Sequence, residues 1–224
     1  MTSAKLFAAL ALVPLVALVA GCGSSASKPT STPAVAAKQA CRYVPDGIAP
    51  ARKVHYPPAN PAKKLATSAT ISTNQGSIKL TLTGVRTPCT VNSFLSLARQ
   101  HFFDNTRCHR LTITGFYLLQ CGDPTATGSG GPGYLFRDEL SGQETYGAGT
   151  VAMGNAGPDT NGSQFFLIYK DTQLSPQYTV FGHLYAAGLK VVQKIARNGI
   201  GPKIFAPGDG EPKKPVVIKS VTQG

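Results

Sequence analysis

The chain has 224 residues, 42% of them hydrophobic and none tryptophan, with 22 Lys and Arg against 10 Asp and Glu, a formal charge of +12. That length holds one domain of ordinary size plus some unfolded chain. The positive balance suits acidic neighbours, but no Lys/Arg run is interleaved with aromatics, which argues against nucleic-acid binding.

At the N-terminus, Lys5 precedes fifteen apolar residues, Leu6 to Ala20, and the stretch ends in "LVAGC" at residues 18–22. A membrane span needs roughly 20 such residues, so residues 1–21 read as a secretory signal. The ending resembles a bacterial lipobox, with cleavage before Cys22 and lipid on its sulfur. The expected protein is lipid-anchored at the extracytoplasmic face of the cell membrane. Residues 22–65 are rich in Ser, Ala, Pro and Lys and poor in large apolar side chains. Such a segment buries too little surface to offset its ordering entropy, and its prolines stiffen it, so a tether is expected. Cys41 is the exception, a residue able to pin part of the tail to the domain.

The folded domain is expected over 66–224. "ATSATISTNQGSIKLTLT" contains two β-rich runs around Asn74-Gln75-Gly76, a hairpin signal. "TPCTVNSFLSLARQHFF" predicts a helix starting near Pro88 or Thr90, with Val91, Phe94, Leu95 and Ala98 on one face. "CHRLTITGFYLLQCGD" predicts two short strands around Thr114-Gly115. The glycine-rich "TGSGGPG" lacks the Gly-Lys-Ser/Thr ending of a phosphate cradle and reads as a plain surface loop. "SQFFLIY" and "TVFGHLY" are strands, "AAGLKVVQKIARNG" a helix closed by Gly199, and "PVVIKSV" a last strand. Many strands with two clear helices predict a closed antiparallel barrel capped by helices.

Three stretches carry chemistry when read together. "CHRLTITGFYLLQCGD" supplies Arg110, Tyr117, Leu118 and Gln120. "VAMGNAGPDTNGSQFFLIY" supplies Met153, Gly154, Asn155, Gln164 and a Phe-Phe pair. "QLSPQYTVFG" supplies Leu174 and Tyr178. In order and spacing they resemble the cyclophilin family of peptidyl-prolyl isomerases. His109-Arg110, "LQCGD" and above all "MGNAGPDTNGSQFF" carry the resemblance, which spans about Ala66 to Val221.

The resemblance implies a closed barrel of eight antiparallel strands with two capping helices and a shallow external groove for an X-Pro bond. Arg110 falls at the catalytic arginine, with Gln120 beside it and Phe166 flooring the proline pocket. Tyr117, Leu118, Met153, Gly154, Asn155, Gln164, Leu174 and Tyr178 fall at groove positions. Glycines let the backbone approach a peptide closely, and Asn155 and Gln164 can pair with its amides. The chain departs from the family in four ways: an extra residue around Ile113–Phe116, tyrosine at 117 where the family has phenylalanine, tyrosine at 178 where histidine is common, and no tryptophan, with Gln173 or a gap in its place.

Peptide C–N rotation has a barrier of roughly 18–20 kcal/mol from amide resonance. Lowering it requires no nucleophile, metal or cofactor. The implied partners are proline-containing unfolded or exported polypeptides, met by a monomer. The alternative reading is a non-catalytic peptide-binding chaperone on the same fold.

Four cysteines follow Cys22, namely Cys41, Cys89, Cys108 and Cys121, with no Cys-x-x-Cys spacing and scattered histidines, a pattern that favours disulfides over a metal site. A two-residue Thr114-Gly115 turn would set Cys108 opposite Cys121. Placing Arg110 and Gln120 on one face needs a register shifted by one, which sends those cysteines to opposite faces. The pairing stays open, with Cys41–Cys89 as the other candidate.

Overall fold

The computed structural model describes residues 40–224. The signal segment, Cys22 and the tether up to residue 39 lie outside the described residues.

The chain enters through a short strand, β1 (Tyr43–Pro45), and then forms the expected hairpin of β2 (Ser68–Thr73) and β3 (Gly76–Leu82). Thr73 pairs with Gly76, leaving Asn74-Gln75 as a two-residue turn. Alternation along this hairpin buries Ala69, Ile71, Ile78, Leu80 and Leu82. Helix α1 (Pro88–Arg99) starts on its proline, where the missing N–H costs nothing. Its next N–H groups, of Cys89 and Thr90, donate to the Glu139 carboxylate at 3.0 and 2.8 Å. Thr90 to Ala98 are all buried, so the helix is enclosed on every side and not only on the predicted face.

Strands β4 (Thr106–Arg107), β5 (Arg110–Thr112), β6 (Leu118–Cys121), β7 (Tyr134–Phe136), β8 (Thr150–Met153), β9 (Phe165–Ile168) and β10 (Val180–Leu184) follow. Helix α2 (Ala186–Arg197) ends as expected, with Gly199 at φ 77°, and β11 (Ile200–Ala206), β12 (Asp209–Pro212) and β13 (Val217–Gln223) complete the chain. β1 and β7 form a two-stranded sheet; the rest form one 11-stranded sheet in the order β11-β12-β5-β6-β9-β8-β10-β3-β2-β13-β4.

This corrects the expected closed eight-stranded barrel: no ladder joins the outer strands β11 and β4, and the sheet is an open antiparallel curl. The curl has a local cause. β4 pairs with β13, and after only Cys108 and His109 the same chain re-enters near the opposite end as β5. So short a link holds the edge strand β4 within about 10 Å of β5, the third strand from the opposite edge. The surplus over eight comes partly from β11–β12, a hairpin in a Gly- and Pro-rich stretch to which the sequence reading assigns no element.

The β4–β5 bend also resolves the cysteine conflict. Arg110 pairs with Gln120 as the site requires, while the bend carries Cys108 out of alternation and onto Cys121, Cα to Cα 4.0 Å. Cys41–Cys89 forms as well, Cα to Cα 5.3 Å.

Residues 40–65, read from composition as tether, lie against the domain. The Cys41 N–H bonds the Ala59 carbonyl at 2.7 Å, Tyr43 to Pro45 pair with β7, and Arg52 donates to the carbonyls of His101, Phe102 and Asp104. The side chain of Asn92 on α1 holds the Pro58 carbonyl at 2.9 Å.

Candidate active site

Ladder partners share one face of a sheet, with Cβ atoms about 4.5–5.5 Å apart. One row of partners crosses five strands: Arg110, Gln120, Phe166, Ala152 and Val180. The adjacent row, Leu111, Leu119, Leu167 and Val151, points the other way into the main core. This alternation accounts for the Phe-Phe pair. Phe165 belongs to the main core, whereas Phe166 heads a separate apolar cluster with Leu118, Tyr146, Ala152 and Ile168. Leu174 and Tyr178 flank that cluster, and the Tyr178 ring stands edge-on to Phe166 at 5.3 Å.

Arg110, at one end of the row, is held by a residue the sequence reading passed over. Its Nε donates to both oxygens of Asp209 at 2.9 and 3.1 Å, and its Nη2 donates to one of them at 2.7 Å. Its Nη1 reaches the Gln120 carbonyl oxygen at 3.4 Å. These hydrogen bonds with Asp209 raise the guanidinium pKa above its ordinary value, so the charge is fixed at every working pH. Asp209 lies on β12, paired with Thr112 of β5, which places it two residues along from Arg110 on the neighbouring strand. The only sequence signal was an acidic residue inside "GDG".

Gln120 continues the chain of contacts. Its side-chain Nε2 donates to the side-chain Oε1 of Gln164 at 2.9 Å, and the Gln164 Nε2 in turn donates to the backbone carbonyls of Gly128 and Gly130. The Gln164 amide is therefore engaged within the protein and braces Gln120. The loop supplying those carbonyls lies at the surface as expected, but it is tied down from within. The fully buried Asp123 accepts backbone N–H bonds from Thr125, Thr127, Gly128 and Gly130. Burial alone would raise the Asp123 pKa, but the hydrogen bonds outweigh it and hold the carboxyl below its ordinary value. His109, adjacent to Arg110 in sequence, is buried with both ring nitrogens unpartnered, and burial lowers its pKa, so it stays neutral.

The remaining expected site residues divide between the groove and the core. Leu118 lies in the Phe166 cluster, and Gly154 donates its N–H to the Gln164 carbonyl at 2.9 Å. Asn155 donates its amide to the Gln177 carbonyl at 2.9 Å, tying down the approach to Tyr178. Tyr117 packs instead against Tyr169, with the Lys170 ammonium 4.3 Å above its ring. Met153 is placed otherwise than expected: alternation turns it into the main core opposite Phe165, while its neighbour Ala152 faces the Phe166 cluster. Tyr146, which the sequence did not single out, both donates to the Tyr178 carbonyl and accepts its N–H, locking the pocket wall.

Removing the Asp209 partner should disorder the Arg110 fork more than the fold. The pair is partly solvated, and such pairs contribute about 1 kcal/mol or less. Asp209→Ala is expected to lower kcat for a proline peptide about three- to tenfold with KM little changed, and Asp209→Asn, which keeps an acceptor, to recover part of that loss. Equal losses in both variants with a matching fall in thermal stability would assign Asp209 a purely structural role.

The comparisons with known proteins converge. Residues 68–223 match the family model described as cyclophilin type peptidyl-prolyl cis-trans isomerase/CLD. A Mycobacterium leprae protein named probable peptidyl-prolyl cis-trans isomerase B is 46% identical over 196 residues, covering 81% of this chain and 65% of the relative. The chain thus spans just under two thirds of that relative. A Mycobacterium bovis protein named probable peptidyl-prolyl cis-trans isomerase A is 40% identical over 177 residues, 70% of this chain and 93% of the relative. A Cryptosporidium parvum cyclophilin-type isomerase of solved structure superposes with a TM-score of 0.62 at 32% identity, covering 71% of this chain and 98% of its own. The same protein has been solved in the presence of the dipeptide Ala-Pro, with a TM-score of 0.61.

Proposed function

The chain belongs to the cyclophilin-type peptidyl-prolyl cis-trans isomerase family, and from that premise we propose that it accelerates X-Pro isomerisation in exported polypeptides. The observation that carries this reading is the single row placing Arg110, Gln120 and the Phe166 pocket side by side. A guanidinium has five N–H groups. Asp209 takes those on Nε and one on Nη2, and Gln120 takes one on Nη1, which leaves one on each terminal nitrogen for a substrate. A proline ring seated on Phe166 brings its amide towards those donors. An N–H aimed at the proline nitrogen withdraws the lone pair from amide resonance, and the fixed apolar pocket holds the ring while the preceding carbonyl turns. Binding the twisted bond better than either planar form is the source of the acceleration. A protease-coupled proline-peptide assay tests this. Isomerisation at the uncatalysed rate even at high protein concentration would select the alternative, a non-catalytic peptide-binding chaperone.

The proposed place of action is the outer face of the cell membrane, with lipid on Cys22. Support comes from the "LVAGC" ending of the leader. Cys22→Ala should release the protein to the soluble fraction or leave it as uncut precursor. Normal processing with continued membrane fractionation would overturn the anchor.

A further inference from the structure

Beside the catalytic row lies a cavity of about 430 Å³, bordered by Gln120, Gln164 and Asn155 and walled on another side by Asp46 and Ile48. The wall comes from the N-terminal segment. Asp46 donates its N–H to the Gly133 carbonyl at 3.4 Å, and Ala51 donates to that of Gly131 at 2.9 Å. The Asp46 side chain accepts the Ile48 N–H at 2.7 Å, and Gly47 supplies the φ of 78° that so tight a turn requires. The turn sets Ile48 at the rim, 67% exposed. Gly131 lines the cavity, and a Cβ added there would meet nothing within 4 Å.

Asp46 is the one charged side chain lining this cavity, and among the described residues it has no ion-pair partner. That stands out in a chain whose formal charge is +12. Gln164 and Phe166 are two residues apart at the start of β9, a separation of about 7 Å. Two residues of an extended peptide cover the same distance. With a proline on Phe166, a side chain two positions away arrives at the cavity.

We propose that the Asp46–Ile48 turn selects substrates carrying lysine or arginine two residues from the proline. This rests on the peptide-groove reading above. The aliphatic stem of such a side chain lies along Ile48 while its cationic head faces the Asp46 carboxylate.

The test uses proline peptides with Lys, Ala or Glu two residues before, or two residues after, the proline. Both kcat/KM and affinity by fluorescence anisotropy are measured for the wild type and Asp46→Asn. Asparagine keeps the acceptor that holds the turn and removes only the charge. On one side of the proline, the wild type should favour Lys over Ala about three- to tenfold and disfavour Glu. Asp46→Asn, or 1 M salt, should bring the Lys-to-Ala ratio near one. A ratio that neither the substitution nor salt changes would overturn the inference. Absence of turnover with the lysine preference intact in affinity would sink the isomerase reading and leave this one standing.

Discussion

Arg110→Ala should cut kcat/KM for a proline peptide by roughly 10- to 150-fold while leaving peptide affinity nearly intact. A hydrogen bond to a charged donor contributes about 1.5–3 kcal/mol net, and each 1.36 kcal/mol is tenfold in rate. If that bond is realised mainly in the twisted state, its loss appears in kcat. Arg110→Lys should lose almost as much, because an ammonium cannot engage Asp209 through Nε and Nη2 while aiming another N–H at the substrate. Phe166→Ala makes the contrast: it empties the floor of the cluster formed with Leu118, Tyr146, Ala152 and Ile168, so binding itself should weaken. Steady-state kinetics beside peptide affinity, with circular dichroism to check folding, measures all three. Near-native turnover in Arg110→Ala would refute the mechanism.

Opening the Cys41–Cys89 bridge should have the largest effect on stability. It closes a loop with a sequence separation of 48, and constraining the unfolded chain over that length stabilises the native state by about 4 kcal/mol in the chain-entropy treatment. For a domain whose whole stability is of the order of 5–15 kcal/mol, that is a large share. The Cys41→Ser/Cys89→Ser double variant should therefore unfold at a markedly lower denaturant concentration than the wild type. The Cys108–Cys121 pair, with a separation of 13, is expected to contribute about 3 kcal/mol by the same reasoning. An unmoved unfolding midpoint in the first variant would show that residues 40–65 hold themselves in place without the bridge.

Much of the groove was legible in the sequence because it is built from local signals. The polar, glycine-rich run between β8 and β9, the alternation of Phe165 and Phe166, and Arg110 facing Gln120 all depend on neighbours close in the chain. What escaped depends on distant pairing. Asp209 acts only because β12 pairs with β5, and its Gly- and Pro-rich surroundings conceal a strand. Residues 40–65 carry the composition of a tether, and nothing within them reports that β7, α1 and the 131–133 backbone provide partners. Met153 was assigned by motif position, whereas the period of two sends it to the core. The closed barrel failed for a similar reason: whether the outer strands β11 and β4 pair is decided by segments far apart in the chain, and here they do not.

The position of the first bridge has a mechanical consequence. Cys41 is covalently fastened to Cys89, in the opening turn of the enclosed helix α1. Any pull on the chain upstream of residue 41 reaches that cross-link before it reaches β1 and the Asp46–Ile48 turn. The load passes into the helix and the core around it, and the thin two-stranded sheet beyond the cross-link is bypassed. The wall of the groove is in this sense strain-relieved, like a cable clamped ahead of its connector, and its shape is insulated from tension arriving along the chain.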